Sequence, residues 1–396
     1  MGQDFTTRAR ELHERVITID SHSAFPLDSC GATDLQVDVP KMRMGGLDVA
    51  FFVVWIGQQK RTVSAYAEAK RRALREFQAI HDAVERCHNE VNMARTPEDV
   101  EQIIASGKLA LAVGVENGFA IGRELSLLKT YRDLGAAYLG LTHEGHNDIA
   151  DSANPIGALG DGATEHGGVS EFGERVIAEM NRLGIMVDVS HLSKAATLET
   201  IRLSRAPVIA SHSSIYAIVP NPRNMDDETL LAMAAKGGVI QITPVHSFVK
   251  VDPPGAMEAF TSLLREFGLE SDAEARKLSP GRRAEFDDRL AALDKHWALA
   301  TVGQMVDHID YAVALAGVEH VGVGSDFDGG GGVAGWSDAG ETASVTTELL
   351  RRGYTEDEIQ KIWGGNLLRV WREVRRLSDA AQQPSPRMPG VRPHSP

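Results

Sequence analysis

Six side chains able to bind a metal or move a proton each stand just past a short apolar run: His22, Glu116, His143, His191, His212 and Asp326. Trp55 and the segment 243–246, which ends in His246, occupy two further positions of the same kind. Imidazole and carboxylate are the ligands that zinc and related divalent cations take from proteins. One such histidine is most often structural. Four of them with two carboxylates, spread from position 22 to position 326, point instead to a divalent-metal centre assembled by the fold. Water held by such a cation has its pKa lowered toward ~7 and becomes a nucleophile. A carboxylate within hydrogen-bond reach, Asp326, could take that proton and pass it to a leaving group.

The runs that precede these residues begin at Val16, Val49, Leu109, Tyr138, Ile185, Pro207, Gly238 and His320. Each is short, apolar and rich in β-branched residues, and enough chain for a helix separates it from the next. Parallel strands buried on both faces read this way, and eight of them with helical spacers close a (β/α)8 barrel, an α/β TIM-type fold. In that fold the residues after the strands share one rim, which is where the eight positions above lie. Helices are expected over 64–91, after the Thr96-Pro97 start, and after Ser170. A charged helical segment, 253–295, is longer than a connection requires and reads as an insertion after the seventh strand. The hydrolase barrel is expected over 1–378, followed by a disordered Pro-rich tail over 379–396.

The chain has 396 residues, 41 basic against 55 acidic, and a net charge of −14. That balance disfavours nucleic acid and anionic lipid and favours a small-molecule substrate. The longest apolar stretch, 49–56, is far below the ~18 residues of a membrane span. No secretory signal is visible at the start, and two cysteines, Cys30 and Cys87, are too few for a disulfide framework; two free thiols and a cytoplasmic protein are expected.

Seven ordered motifs carry a resemblance: Ile19-Asp20-Ser21-His22, Gly114-Val115-Glu116, Leu141-Thr142-His143, Asp188-Val189-Ser190-His191, Ser211-His212-Ser213-Ser214, Pro222-Arg223-Asn224 and Gly324-Ser325-Asp326-Phe327-Asp328-Gly329. Together they resemble the renal or membrane dipeptidase family, peptidase family M19 of the amidohydrolase superfamily, over residues ~16–375. The resemblance implies two zinc ions bridged by Glu116, with His22 on the first and His191 and His212 on the second. It implies hydrolysis of dipeptides, often with a D-residue at the carboxyl side, and a possible homodimer. His143 would polarise the substrate carbonyl, Arg223 would hold the substrate carboxylate and Asp326 would shuttle the proton. The planar guanidinium fork of Arg223 suits a carboxylate, although an ion pair with Asp226 or Asp227 is the alternative.

The family's His-x-Asp motif is altered here to His22-Ser23-Ala24. A methyl group cannot ligate a metal, so the first site is weakened, while Glu116, His191 and His212 remain a sufficient set for one zinc. Three consequences are open: an unequally loaded hydrolase, a non-hydrolytic or repurposed homologue that binds or tailors a peptide-like natural product, or an engineered variant of an active dipeptidase. Asp20 and Asp28 are the candidates to replace the missing carboxylate. His146, Asn147 and Asp148 either line the pocket or satisfy their own loop, His246 is a candidate rim contact, and Gly329 to Gly332 read as a flexible stretch beside the rim.

Overall fold

A computed structural model describes residues 4–24, 30–269, 275 and 277–382. Nine parallel strands form one sheet: β1 (Ile19–Ala24), β2 (Val49–Trp55), β3 (Val91–Met93), β4 (Leu109–Glu116), β5 (Ala136–Gly140), β6 (Met186–Asp188), β7 (Ile209–Ser213), β8 (Val239–Ile242) and β9 (Val321–Val323). Eight of them run in the order β1-β2-β4-β5-β6-β7-β8-β9, and β3 lies off this path as an added partner of β4. The eight apolar runs are those eight barrel strands. The short β3, of which only Val91 is buried, carries too little apolar signal to be read from sequence.

The barrel closes just beyond β9, where the Asp326 amide donates to the His22 carbonyl at 2.8 Å and the Ala24 amide donates to the Phe327 carbonyl at 2.8 Å. Fully buried Asp20 fastens this seam. Its carboxylate accepts from the Ser325 amide at 2.7 Å, the Ser325 hydroxyl at 2.5 Å and the Ser23 hydroxyl at 2.5 Å. Asp20 is therefore committed to the seam and is no substitute for the carboxylate missing at position 24; Asp28 lies outside the described residues.

Strand β2 shows why continuous apolar runs were required. Val49, Phe51 and Val53 face the barrel interior, while Ala50, Phe52 and Val54 pack under the outer helices. Successive side chains point to opposite faces, so a strand covered on both has no position for a polar residue until its end. The interior is plugged from below by the last helix, Asn366–Gln382, whose Trp371 stacks edge-on to Phe51 at 5.6 Å. That helix runs four residues into the segment expected to be disordered, and 383–396 lie outside the described residues.

The outer helices start where their caps stand. Thr62, Thr96 and Ser170 each accept a backbone amide in front of Val63–Arg86, Pro97–Ala105 and Glu171–Leu183. The insertion after the seventh barrel strand contains two helices, Ala256–Phe267 and Pro280–Trp297, with a small core of their own built on Leu263, Leu264, Phe267 and Phe286.

The two cysteines correct an expectation. Cys30, in the loop after β1, and Cys87, capping the helix Val63–Arg86, form a disulfide across 57 residues. Two cysteines with no motif spacing gave no sign of pairing; the fold brings the loop over the helix end. Iodoacetamide should label neither cysteine in unfolded, unreduced protein and both after reduction, and removing the link with Cys30→Ala should cost roughly 2–4 kcal/mol of stability. Two alkylated cysteines without reductant would disprove the pairing.

Candidate metal centre

Each metal-ligand candidate arrives on a different strand, and the barrel brings them within touching distance at its carboxyl-end rim. His22 lies in β1, Glu116 ends β4, His191 follows β6 and His212 lies in β7. Glu116 is the hub. Its Oε1 stands 3.2 Å from His191 Nε2, 3.4 Å from His212 Nε2 and 3.9 Å from His143 Nε2. Its other oxygen, Oε2, stands 3.4 Å from His22 Nε2. The two oxygens of one carboxylate thus address two histidine groups, as a bridging ligand must.

The triangle of Glu116 Oε1, His191 Nε2 and His212 Nε2 has sides of 3.0, 3.2 and 3.4 Å. Ligands at zinc distances in a tetrahedron are separated by about 3.3 Å, so the three donors fit one face of such a site. The electrostatics agree. Two imidazole nitrogens 3.0 Å apart bring their lone pairs together unless a proton or a cation lies between them. Burial disfavours a charged Glu116, yet the neighbouring histidines, His22 foremost, hold its carboxyl well below the usual range. Burial likewise opposes charge on His22, but Glu116 outweighs it and pushes the ring up to about 9. His212 is driven well below its ordinary value by burial and by His22, which keeps its nitrogen free to ligate. The nest is therefore one buried anion surrounded by imidazoles, and it requires positive charge. Donor atoms within 4.8 Å of one another form two groups, His22–Glu116–His212 and Glu116–His143–His191, so His212 can serve either oxygen of the bridge.

Behind the candidate ligand nitrogens, the opposite ring nitrogens of His212 and His22 are hydrogen-bonded. His212 Nδ1 pairs with the Ser211 hydroxyl at 2.8 Å, and that hydroxyl donates to Asp188 at 2.6 Å. His22 Nδ1 pairs with the Tyr138 hydroxyl at 2.9 Å. His191 Nδ1 faces Glu144 at 3.5 Å. Such partners fix which nitrogen points at the metal. Sequence reasoning assigned no role to Ser211, Asp188, Tyr138 or Glu144. Asp188 and Ser211 sit inside quoted motifs, but Tyr138 is in mid-strand, where reading strand ends does not reach.

The remaining candidates divide. Half-buried Asp326 places Oδ1 3.9 Å from His22 Nε2, and desolvation, with Glu116 adding to it, pushes its carboxyl up to about 6. His143 packs edge-on against Trp55 and is held at about 4, first by burial and then by His191, so it is neutral at ordinary pH. Arg223 is buried; it donates to the His212 carbonyl at 3.2 Å, rests 5.3 Å over Phe248, and leaves its Nε without a partner. The expected alternative pairing is absent, because Asp226 binds Lys194 and Asp227 binds Tyr311. Arg223 lines a cavity of about 380 Å³ together with His191.

His146 accepts from the Ser152 amide and pairs with the Gly162 carbonyl, Asn147 is bound within the same loop, and Asp148 ties that loop to Tyr66 of the helix Val63–Arg86 and to Arg123, so these three hold the loop in place. His246 engages both ring nitrogens, with Asp252 at 2.6 Å and the Ala300 amide at 2.9 Å, and is no free ligand. The glycine run is also corrected. Gly329 and Gly331 both donate to the Asp326 carbonyl, and a Cβ on either would collide with Asp326 or Ser325, so the run is a tight wrap and its glycines serve close approach. Asp326 and His191 themselves adopt left-handed backbone angles, with φ of 54° and 67°, a conformation that their surroundings must enforce.

Comparison with known proteins agrees with this architecture. The family model for membrane dipeptidase, peptidase family M19, matches residues 6–385. "Dipeptidase verJ" of Clonostachys rogersoniana is 30% identical over 395 residues, covering 95% of this chain and 88% of that protein. "Dipeptidase aclJ" of Aspergillus oryzae is 31% identical over 363 residues, covering 90% and 74%. The crystal structure of the probable dipeptidase PvdM from Pseudomonas aeruginosa superposes with a TM-score of 0.82 at 32% identity, over 94% of this chain and 99% of that one. A barrel of this kind with a histidine and carboxylate rim defines a metal-dependent hydrolase. This chain belongs to the membrane dipeptidase family, peptidase family M19. Among the described residues, no helix is long and apolar enough to cross a membrane.

Removing the outer support should loosen the metal while sparing the fold. Ser211→Ala is expected to lower zinc affinity about 10–100-fold in a chelator competition, with an unchanged near-UV spectrum; unaltered affinity would mean that the Asp188–Ser211–His212 chain orients nothing.

Proposed function

We propose that this protein is a zinc-dependent dipeptidase in which one metal is held firmly by Glu116, His191 and His212 and a second, beside His22, is held weakly. The observation that carries the reading is the triangle of donor atoms at tetrahedral spacing, with the buried guanidinium of Arg223 beside it, its Nε unpartnered. Family membership supports dipeptide hydrolysis as the reaction. A divalent cation bound there supplies a Lewis acid and a hydroxide-like nucleophile at neutral pH.

The residues have separate tasks. Arg223 binds the carboxylate of the substrate's last residue through its planar fork, which favours a free carboxyl terminus and is indifferent to L or D configuration beyond it. Neutral His143 donates a hydrogen bond to the scissile carbonyl oxygen. Asp326 takes a proton from the attacking water and returns it to the amine nitrogen as the carbon–nitrogen bond breaks, so the products are two amino acids and the carboxyl group ends as it began. Its raised pKa places proton uptake and release close to working pH.

Ala24 separates this chain from its family's pattern, and Asp20 does not take the missing place. Asp20 is spent on the barrel seam. Unequal metal loading is the direct consequence. The same loss supports a second reading, a homologue that holds or tailors a peptide-like natural product without hydrolysing simple dipeptides. The Cys30–Cys87 link supports work in an oxidising compartment and argues against the cytoplasm that two free thiols would suit.

Metal content per chain, measured together with turnover of an L,L and an L,D dipeptide, tests the proposal. About one tightly bound zinc with turnover of at least one substrate is expected, and Ala24→Asp should raise occupancy toward two and increase kcat. Bound metal with no turnover in either form would leave the non-hydrolytic reading standing; two firmly held metals in the unaltered protein would refute the weakened site.

A further inference from the structure

A cavity of about 690 Å³ lies between the helical insertion and the barrel rim, and the dipeptidase chemistry proposed above makes no use of it. Its roof is the helix pair Ala256–Phe267 and Pro280–Trp297, and its floor is the turn after β9 joined to the segment after β8, where Val245 pairs with Gly331. Phe260, Phe286, Leu290, Leu293 and Leu299 give it an apolar wall. The charged groups at its edge are already engaged: Arg283 with Asp287, His246 with Asp252, and Asp328 with the Gln36 and Val37 amides. Asp34 stands exposed at the margin. The interior therefore offers no unpaired charge to a ligand.

The cavity abuts the turn that wraps Asp326, with Asp328 and Gly330 to Gly332 in its lining. Gly330 lines it, and a Cβ built on Gly330 would stand 3.9 Å from Asp326 Oδ2. The cavity that contains Arg223 and His191 is smaller, about 380 Å³. A site of 690 Å³ has the size that encloses a drug-sized ligand, far more room than a small amino-acid side chain fills. We infer that this cavity is a subsite for a large, neutral, apolar substituent on the part of the substrate that precedes the scissile bond, so that the protein acts on peptides carrying such a group in preference to small dipeptides. The inference rests on the dipeptidase reading for its orientation: the carboxyl end goes to Arg223, and the other end passes Asp326 into the larger space.

Two measurements test it independently. In the first, Xaa-Ala substrates whose first side chain lengthens from methyl to decyl are compared by kcat/KM on the zinc-loaded protein. The value should rise by at least about tenfold along the series, since each buried methylene adds to binding, and Leu290→Trp, which fills the space, or Leu299→Asp, which charges its wall, should flatten the ratio of decyl to methyl. In the second, the neutral fluorescent probe N-phenyl-1-naphthylamine should bind saturably to the unaltered protein and lose that binding in both variants. A flat series together with no saturable probe binding would overturn the subsite and leave the dipeptidase reading intact. Probe binding that both variants abolish, with no turnover of any dipeptide, would uphold the cavity and overturn the hydrolase.

Discussion

The structure is organised around one buried anion. Glu116 ends a strand whose other residues are apolar, and its carboxylate has been taken out of water with four imidazoles in place of a hydration shell. An ionised carboxylate in such a place is costly unless positive charge answers it. Protonation of His22 is a partial answer, and a divalent cation between the ring nitrogens is a fuller one. The strand ends, the anchored imidazoles behind them and the strained backbone at His191 and Asp326 all hold this arrangement in place.

The seam of the barrel is the second requirement, because β1 supplies His22 and the turn after β9 supplies Asp326. Asp20 joins them, accepting three hydrogen bonds from Ser23 and Ser325, which are the chain neighbours of His22 and Asp326. The same carboxylate thus sets the spacing between His22 and Asp326. At position 24 the seam uses the backbone alone: the Ala24 amide donates to the Phe327 carbonyl.

The insertion adds a third layer. Its two helices carry a core of their own and meet the rim without filling the space beneath them. Phe260, Phe286, Leu290 and Leu293 from that layer line one wall of the space.

The amino-acid sequence by itself determined the barrel, because strands buried on both faces must be apolar without interruption and their ends are where polar residues return; the candidate ligand residues stand out for that reason. It also determined that position 24 offers no donor atom, since the Ala24 side chain is a methyl group in any fold. Only the tertiary structure decided which nitrogen meets which oxygen, that Glu116 divides its two oxygens between histidine groups, that Cys30 reaches Cys87, that Asp20 belongs to the seam, and that Arg223 is buried against the His212 carbonyl and free of Asp226 and Asp227. These are contacts between residues tens to hundreds of positions apart, and periodicity carries no record of them. The short β3 and the chamber under the insertion escaped for a related reason: one is too brief to show a pattern, and the other is a volume between surfaces, which exists only once the chain has packed.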